Sequence, residues 1–230
     1  MGERGSPSPP RWHRWGKRVL VLIVGVHLLW GAALILLRFV NPPTTGVQIQ
    51  RRIEAVFRRV AYTKRATFVP LRRMSPLLRH AVIAAEDGRF YQHYGIDWDE
   101  VQKVASQSTE NGALGRGAST IAQQLVKNLF FTTHRNPVRK AFEFTLAPMA
   151  VAILGRERLL ELYLNVVEWG PGIYGAEEAA RYHYRTPAAT LDREQSARLA
   201  ACLPSPRQRR PARMNDYSAA ILIRMQQAGW

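Results

Sequence analysis

The most constraining feature of this sequence is an uninterrupted apolar run near its beginning. Residues 19–37 read VLVLIVGVHLLWGAALILL and contain no Asp, Glu, Lys or Arg, although Arg18 and Arg38 flank them directly. A helix needs roughly 20 apolar residues to cross a bilayer, whereas the apolar region of a signal peptide has about 7–15. No small-x-small cleavage site follows the run. The run therefore predicts an uncleaved transmembrane helix.

Basic residues on the two sides of this run predict its orientation. Five Lys and Arg residues lie in the 18 residues before it, and three lie in a comparable stretch after it. Lys and Arg are enriched in cytoplasmic segments of membrane proteins. We therefore expect a cytoplasmic basic tail (1–18), a transmembrane helix (19–37), a Pro-containing linker (38–46) and one extracytoplasmic domain (47–230).

Positive charge is the second global feature. The formal net charge of +16 predicts an anionic partner, such as nucleic acid, anionic lipid or a phosphorylated substrate, and the extracytoplasmic placement argues against nucleic acid. In residues 47–65, Arg and Lys alternate with apolar residues at helical spacing, which predicts a helix lying on an anionic membrane surface. A solvated, charged helix face is the alternative for this segment.

Apolar residues at helical spacing recur through the rest of the chain. They predict helices near 77–85, 98–106, 119–130, 136–154, 157–165, 176–184, 192–203 and 215–227. Pro148 is expected to bend or interrupt its helix, and the Gly-rich segment 106–117 is expected to be a mobile loop. The sequence shows no strand-period run and no metal-ligand cluster.

Two stretches carry the chemistry. The apolar helix at 77–85 ends at adjacent carboxylates, Glu86 and Asp87, which do not help a helix to bury itself. Glu86 is therefore predicted to be a catalytic acid or base, and the alternative is a charged helix end closed by Gly88. The helix at 119–130 has a polar face of uncharged donors closed by Lys127, which could bind sugar hydroxyls and phosphate oxygens. The alternative is a solvated face of an amphipathic helix.

Four segments that contain these residues occur in a fixed order. The first is Glu86-Asp87-x-x-Phe90-x-x-His93-x-Gly95, and the second is the eight-residue segment GASTIAQQ at 117–124. The third is RKAFE at 139–143, and the fourth is LLELYLN at 159–165. Over about residues 45–230 the chain resembles the peptidoglycan glycosyltransferases, that is, the glycosyltransferase domain of class A penicillin-binding proteins and the monofunctional biosynthetic membrane enzymes.

The resemblance implies an all-α fold, with a larger lysozyme-like lobe, a smaller membrane-proximal lobe and a glycan cleft between them. It implies that lipid II is polymerised into β-1,4 glycan strands by inverting glycosyl transfer, with release of undecaprenyl diphosphate. The expected location is the bacterial inner membrane, crossed once, with the catalytic domain in the periplasm. The expected partners are lipid II, the growing strand and the membrane, together with cell-wall synthesis or division proteins.

The resemblance also implies roles for single residues. Glu86 would be the catalytic base, and Glu143, the second catalytic residue, would orient the neighbouring cations or hold an optional Mg²⁺ or Mn²⁺ ion. No organic cofactor is expected. The expected substrate-binding residues are Asp87, Phe90, His93, Ser119, Thr120, Gln124, Lys127, Asn128, Arg139 and Lys140.

Two other functions fit parts of the sequence. A membrane-anchored, lysozyme-like enzyme would cut the same polymer with Glu86 as its acid, but a neutral glycosidic leaving group needs no cluster of Lys127, Arg139 and Lys140. An inactive cell-wall scaffold would be expected to lose its carboxylates first, yet Glu86 and Glu143 are both present.

Overall fold

The structure is a computed structural model that describes residues 11–111, 119–134 and 136–230, with the side chains of 11–14 and 107–111 excepted. The described chain is predominantly helical, which confirms the predicted all-α class. Its α-helices are α1 (Arg11–Phe39), α2 (Gly46–Phe57), α3 (Pro76–Glu86), α4 (Trp98–Asn111), α5 (Ile121–Phe130), α6 (Pro137–Val166), α7 (Ala176–Tyr184), α8 (Arg193–Ala200) and α9 (Asn215–Gln227).

Helix α1 contains the predicted span. Its stretch Trp15–Phe39 is long and apolar enough to cross a membrane, and only 6% of its most apolar window is buried. The buried part lies in its second half, where Leu34 is fully buried in the core and Trp30 packs on Phe142 of α6. The chain thus has one candidate membrane anchor among the residues described, packed along a helix of the domain.

Helix α2 is shorter than the predicted helix over 47–65. Thr45 caps its first turn by accepting a hydrogen bond from the Gln48 amide at 3.3 Å. The helix ends at Phe57, and Arg59 then adopts a left-handed backbone conformation (φ 52°). That conformation turns the chain away from the helix axis, so the predicted helix is wrong beyond Phe57.

A small sheet follows, although no strand was predicted. Strands β1 (Arg65–Ala66), β2 (Glu168–Gly170) and β3 (Ile173–Tyr174) lie in the order β1-β3-β2, with β1 parallel and β2 antiparallel to β3. Gly172 (φ 73°) connects β2 to β3, and a Cβ atom there would lie 2.4 Å from the Thr63 carbonyl oxygen. Strands of two or three residues are too short for a period of two to be recognised in the sequence.

Two other regions test the predicted helix boundaries. Helix α6 consists of two helical parts that meet at a kink, where Gly155 has a non-helical backbone (φ 73°, ψ 162°). The break predicted between the helices at 136–154 and 157–165 is confirmed, whereas Pro148 lies inside the first part without interrupting it. Helix α4 continues to Asn111, so the loop prediction is wrong for 106–111, and residues 112–118 lie outside the described part.

The helices pack in two groups that share one hydrophobic core. Helices α3, α8 and α9 pack on one another, while α5 packs on α6, with α2 against α5 and α1 against α6. The end of α3 and the beginning of α5 meet where the two groups join. Both chemistry-bearing stretches of the sequence therefore lie at this junction.

Candidate active site

Glu86 is the last residue of α3. The buried face of this helix, which includes Leu78, Val82 and Ile83, holds it in the core. Glu86 lines a cavity of about 460 Å³ together with residues of α4 and α9 and with Ser119 and Thr120, which directly precede α5. An apolar helix thus holds a carboxylate at the wall of a cleft.

A chain of two hydrogen bonds orients Glu86. The Gln124 Nε2 atom of α5 donates to Glu86 Oε2 at 2.7 Å, and the Tyr163 hydroxyl of α6 donates to Gln124 Oε1 at 3.0 Å. An ionised carboxylate only accepts hydrogen bonds, so Glu86 takes the amide hydrogens of Gln124 and leaves Gln124 Oε1 to accept from the Tyr163 hydroxyl. The Tyr163 hydrogen bond therefore stabilises this orientation of Gln124.

Opposing effects act on the protonation of Glu86. Burial raises its pKa, while the Gln124 hydrogen bond and the positive charges of Lys127 and Arg209 lower it. Burial is the largest of these effects, so the pKa of Glu86 lies above its ordinary value. A carboxylate tuned in this direction is suited to accepting a proton near neutral pH.

A cluster of cations surrounds a buried carboxylate on α6. Arg139 Nε lies 3.0 Å from Glu143 Oε1 and Lys140 Nζ lies 3.3 Å from Glu143 Oε2, as expected for positions three and four residues apart on a helix. Lys140 Nζ also donates to Ser119 Oγ at 3.0 Å, and Glu143 is only 3% exposed. Glu143 thus holds two cations in place, and one of them, Lys140, contacts Ser119.

Lys127 of α5 is the third cation of this cluster. Burial lowers its pKa, whereas the charges of Glu143 and Glu86 raise it, so its amine interacts with both carboxylates. Lys127 therefore provides an electrostatic connection between the Glu86 cleft and the Glu143 cluster.

Asp87 and His93 form a buried, hydrogen-bonded pair beside the end of α3. Asp87 Oδ1 lies 2.8 Å from His93 Nε2, and Asp87 Oδ2 accepts a 2.9 Å hydrogen bond from the first amide of α5, that of Ile121. His93 Nδ1 accepts from the Gly95 amide at 3.1 Å, so Nε2 is the nitrogen that carries the hydrogen. These bonds join the end of α3 to the start of α5 and so hold Glu86 opposite Gln124.

Three potential metal ligands meet at the same place, contrary to the expectation from sequence. Ligand atoms of Asp87, His93 and Asp97 lie within 4.8 Å of one another. All of these side chains already have protein partners, because Asp97 caps α4 through the Glu100 amide at 3.1 Å and lies beside Arg89. A cation would have to displace these bonds, so the three residues do not fit a metal site.

Other predicted substrate contacts also have partners within the protein. Thr120 and Gln123 form a reciprocal cap at the start of α5, and the Thr120 hydroxyl donates to the Gly95 carbonyl at 2.6 Å. Asn128 Nδ2 donates to the Gln124 carbonyl at 2.7 Å, and Phe90 is 2% exposed in the core. Their roles as substrate contacts stay predictions, and burial argues against such a role for Phe90.

The residues that close the cleft on the α9 side were not predicted from the sequence. Tyr217 and Arg224 of α9 line the Glu86 cavity, and the Arg209 guanidinium lies 5.2 Å from the centre of the Tyr217 ring. None of them belongs to one of the four segments. Tyr163 does belong to the fourth segment, but nothing in its spacing indicates that it contacts Gln124.

Comparison with known proteins decides the family. Residues 52–227 match the family model described as Transglycosylase, which is more than half of the chain. The chain belongs to the transglycosylase family. It is 38% identical over 198 residues to the biosynthetic peptidoglycan transglycosylase of Laribacter hongkongensis (strain HLHK9), across 86% of this chain and 87% of that protein.

Two further relatives of the transglycosylase family carry the same description. The protein of Dechloromonas aromatica (strain RCB) is 39% identical over 220 residues, across 92% of this chain and 95% of its own length. That of Bordetella avium (strain 197N) is 47% identical over 165 residues, across 69% of each chain. The family predicted from the four segments is thus confirmed.

Proposed function

We propose that this transglycosylase polymerises lipid II into linear β-1,4 glycan strands and releases undecaprenyl diphosphate. The arrangement of Glu86 and the cations carries the proposal. One oriented carboxylate faces the cleft, and three cations, Lys127, Arg139 and Lys140, gather around buried Glu143 on the neighbouring helices. The relatives, named as biosynthetic peptidoglycan transglycosylases, support the choice of polymer.

The proposed step is a single inverting displacement. Glu86 accepts the proton of the 4-hydroxyl of an incoming lipid II, and that oxygen forms a bond to C1 of the growing strand. The bond from C1 to the diphosphate oxygen breaks, and the diphosphate leaves with the electron pair. Lys127, Arg139 and Lys140 stabilise the negative charge that grows on the leaving group, since cations placed where charge develops lower the barrier.

The optional Mg²⁺ or Mn²⁺ ion at Glu143 stays a prediction. Both Glu143 oxygens already contact cationic side chains, so a metal would have to displace Arg139 or Lys140. Among the described residues, those around Glu143 supply cations and not further carboxylates, so they do not favour a divalent metal. In our proposal the protein's own cations hold the diphosphate.

The membrane placement completes the proposal. The apolar helix α1 would cross the bacterial inner membrane once, with the tail in the cytoplasm and the cleft in the periplasm. The anchor would keep the cleft beside a lipid-borne substrate and so raise the effective concentration of that substrate.

Replacing the base tests the function. Glu86→Gln keeps the shape of the side chain but cannot accept the proton, and we expect polymerisation to fall by about 10²–10⁴-fold. The assay is incubation of the detergent-solubilised protein with labelled lipid II, followed by separation of the products by length. Glu194→Gln, which alters a surface ion pair with Arg198, is the matched control.

The products also separate the alternatives. Polymer formed by the wild type and lost in Glu86→Gln supports the proposal, whereas shortening of added glycan strands by the wild type would show a hydrolase. Turnover of Glu86→Gln at the wild-type rate would remove Glu86 from the mechanism.

A further inference from the structure

A second polar cavity lies near the beginning of α3, whereas Glu86 lies at the end of that helix. It has a volume of about 750 Å³ and lies between the 3-10 turn Leu71–Arg73, the first part of α3 and the break in α6 at Gly155. Its charged lining residues are Arg72, Arg79, Arg156, Arg158, Glu157 and Glu161. Four arginines against two glutamates give this cavity a positive charge.

Two of the four arginines donate hydrogen bonds to other parts of the protein. Arg156 donates to the carbonyls of Phe90 and His93 at 2.6 and 2.8 Å. Arg158 pairs with Glu161, which also accepts a 2.6 Å hydrogen bond from the Leu71 amide. Both arginines and Glu161 therefore form the rigid wall of the cavity.

Arg72 and Arg79 are the other two arginines that line this cavity. Neither side chain has a hydrogen bond or an ion pair to a residue in the described parts of the chain, and the Nε atom of Arg79 is buried. A buried N–H group without an acceptor is unfavourable, so such groups usually bind a ligand, an ion or water. Guanidinium groups match the geometry of phosphate oxygens, with which they form paired hydrogen bonds.

The cavity lies at the end of the membrane anchor. Arg158, in its wall, donates to the α1 Leu37 carbonyl at 3.0 Å and, beyond the helix, to the Val40 carbonyl and Asn41 Oδ1 at 3.0 and 2.9 Å. The apolar run ends in this region. With the membrane placement proposed above, on which this step rests, the cavity lies at the depth of the phospholipid phosphates. We infer that Arg72 and Arg79 bind the phosphate of an anionic phospholipid headgroup beside α1.

Lipid binding to the full-length protein tests this inference. In detergent, short-chain phosphatidylglycerol is expected to bind in preference to short-chain phosphatidylcholine, as measured by native mass spectrometry. The double variant Arg72→Gln/Arg79→Gln should bind phosphatidylglycerol about tenfold more weakly or worse. Each of the two arginines contributes to the electrostatic attraction of an anionic headgroup, and the variant loses both contributions. Arg73→Gln changes the neighbouring arginine, which does not line the cavity, and should bind like the wild type.

A second variant keeps the inference testable if the double variant does not fold. Glu157→Gln removes a negative charge from the exposed rim and should strengthen phosphatidylglycerol binding severalfold. Equal binding of the two lipids, or equal weakening by Arg73→Gln, would overturn the inference. Competition by inorganic phosphate as strong as by the lipid would show a site for free phosphate and not for a headgroup. These readouts do not depend on glycan synthesis.

Discussion

At the scale of single residues, the orientation of Glu86 depends on a tyrosine that does not touch it. Tyr163 is fully buried and holds Gln124, and Gln124 in turn donates to the carboxylate. Gln124 was predicted to bind the donor sugar and phosphate. That role stays a prediction. In the structure its amide group donates to Glu86 at 2.7 Å, which makes Gln124 a positioning residue for the proposed base.

Tyr163→Phe tests this arrangement. The variant keeps the packing and removes the donor that orients Gln124. The Gln124 amide is then held less firmly, and its hydrogen bond to the Glu86 carboxylate weakens. That bond lowers the pKa of Glu86, so its loss raises the pKa further. A base is lost as the pH falls through its pKa, and the acidic limb of the pH–rate profile should therefore move to higher pH.

The matched control for this prediction is Tyr62→Phe. It also removes one tyrosine hydroxyl, which here donates to the Tyr174 hydroxyl at 3.0 Å, and Tyr62 lines a different cavity from Glu86. We expect its pH profile to match that of the wild type. An unshifted profile in Tyr163→Phe would show that Gln124 keeps its orientation without the tyrosine.

The cation cluster gives a second prediction at this scale. Lys140→Ala removes an ammonium group that contacts Ser119 and Glu143, and hydrogen bonds to charged groups contribute about 1.5–3 kcal/mol. We expect a loss of about 10–100-fold in kcat/KM for lipid II. Arg58→Ala, at the exposed end of α2, should change kcat/KM little. Equal losses in both variants would show that bulk positive charge matters rather than a site.

Some contacts of the site could be predicted from the sequence and others could not. The spacing of Lys140 and Glu143 on one helix sufficed to predict their contact, because neighbours three residues apart share a face. The capping role of Thr120 and the buried position of Gln123 were not predicted. They depend on where α5 begins, and that depends on Asp87 from a different helix accepting the Ile121 amide.

At the scale of secondary structure, α6 shows which helix breaks the sequence predicts. The break between residues 154 and 157 was predicted and lies at Gly155, whereas Pro148, which was expected to bend or interrupt the helix, does not interrupt it. The backbone at Gly95 packs directly against α6 beside Pro148, because a Cβ atom at Gly95 would lie 2.6 Å from the Ala147 carbonyl carbon. Such a close backbone approach between distant segments cannot be read from the α6 sequence alone.

Gly155→Ala tests the break in α6. The backbone at Gly155 (φ 73°, ψ 162°) lies in a region that is essentially restricted to glycine, and a side chain there costs about 1–3 kcal/mol. We expect the free energy of unfolding to fall by that amount in thermal or denaturant unfolding. Gly88→Ala is the control, because its Cβ atom would meet no atom within 4 Å and its φ is not positive. Equal stability of the two variants would contradict the strain argument.

At the scale of the whole molecule, two rows of apolar side chains are exposed at the surface of the described chain. One is α1, and the other is the exposed row Ile49, Ile53, Val56 and Phe57 on α2. The helical spacing of the α2 row follows directly from the sequence. The packing of α1 on α6 could not be predicted from the sequence, because an apolar run does not indicate which helix of the domain it contacts.

Deleting residues 1–38 separates the two surfaces. The truncated protein should still sediment with anionic vesicles at low salt, because basic residues near such a surface contribute about 1 kcal/mol each. Binding should weaken as salt rises, since charges are screened within about 8 Å at physiological ionic strength, and the apolar row on α2 should leave a salt-resistant fraction. A truncated protein that stays in the supernatant at low salt would show that α2 is only a solvated face.

The contacts between α1 and α6 also determine how the catalytic domain is mounted. His27 Nε2 lies 2.8 Å from Thr145 Oγ1, and farther along α1 Arg38 donates to the Ile153 carbonyl at 2.9 Å. Because α1 contacts α6 at two separate places, the domain cannot turn freely about the end of α1. Under the proposed function, the orientation of the cleft relative to the anchor is therefore fixed, and the lengthening product has to move while the enzyme does not.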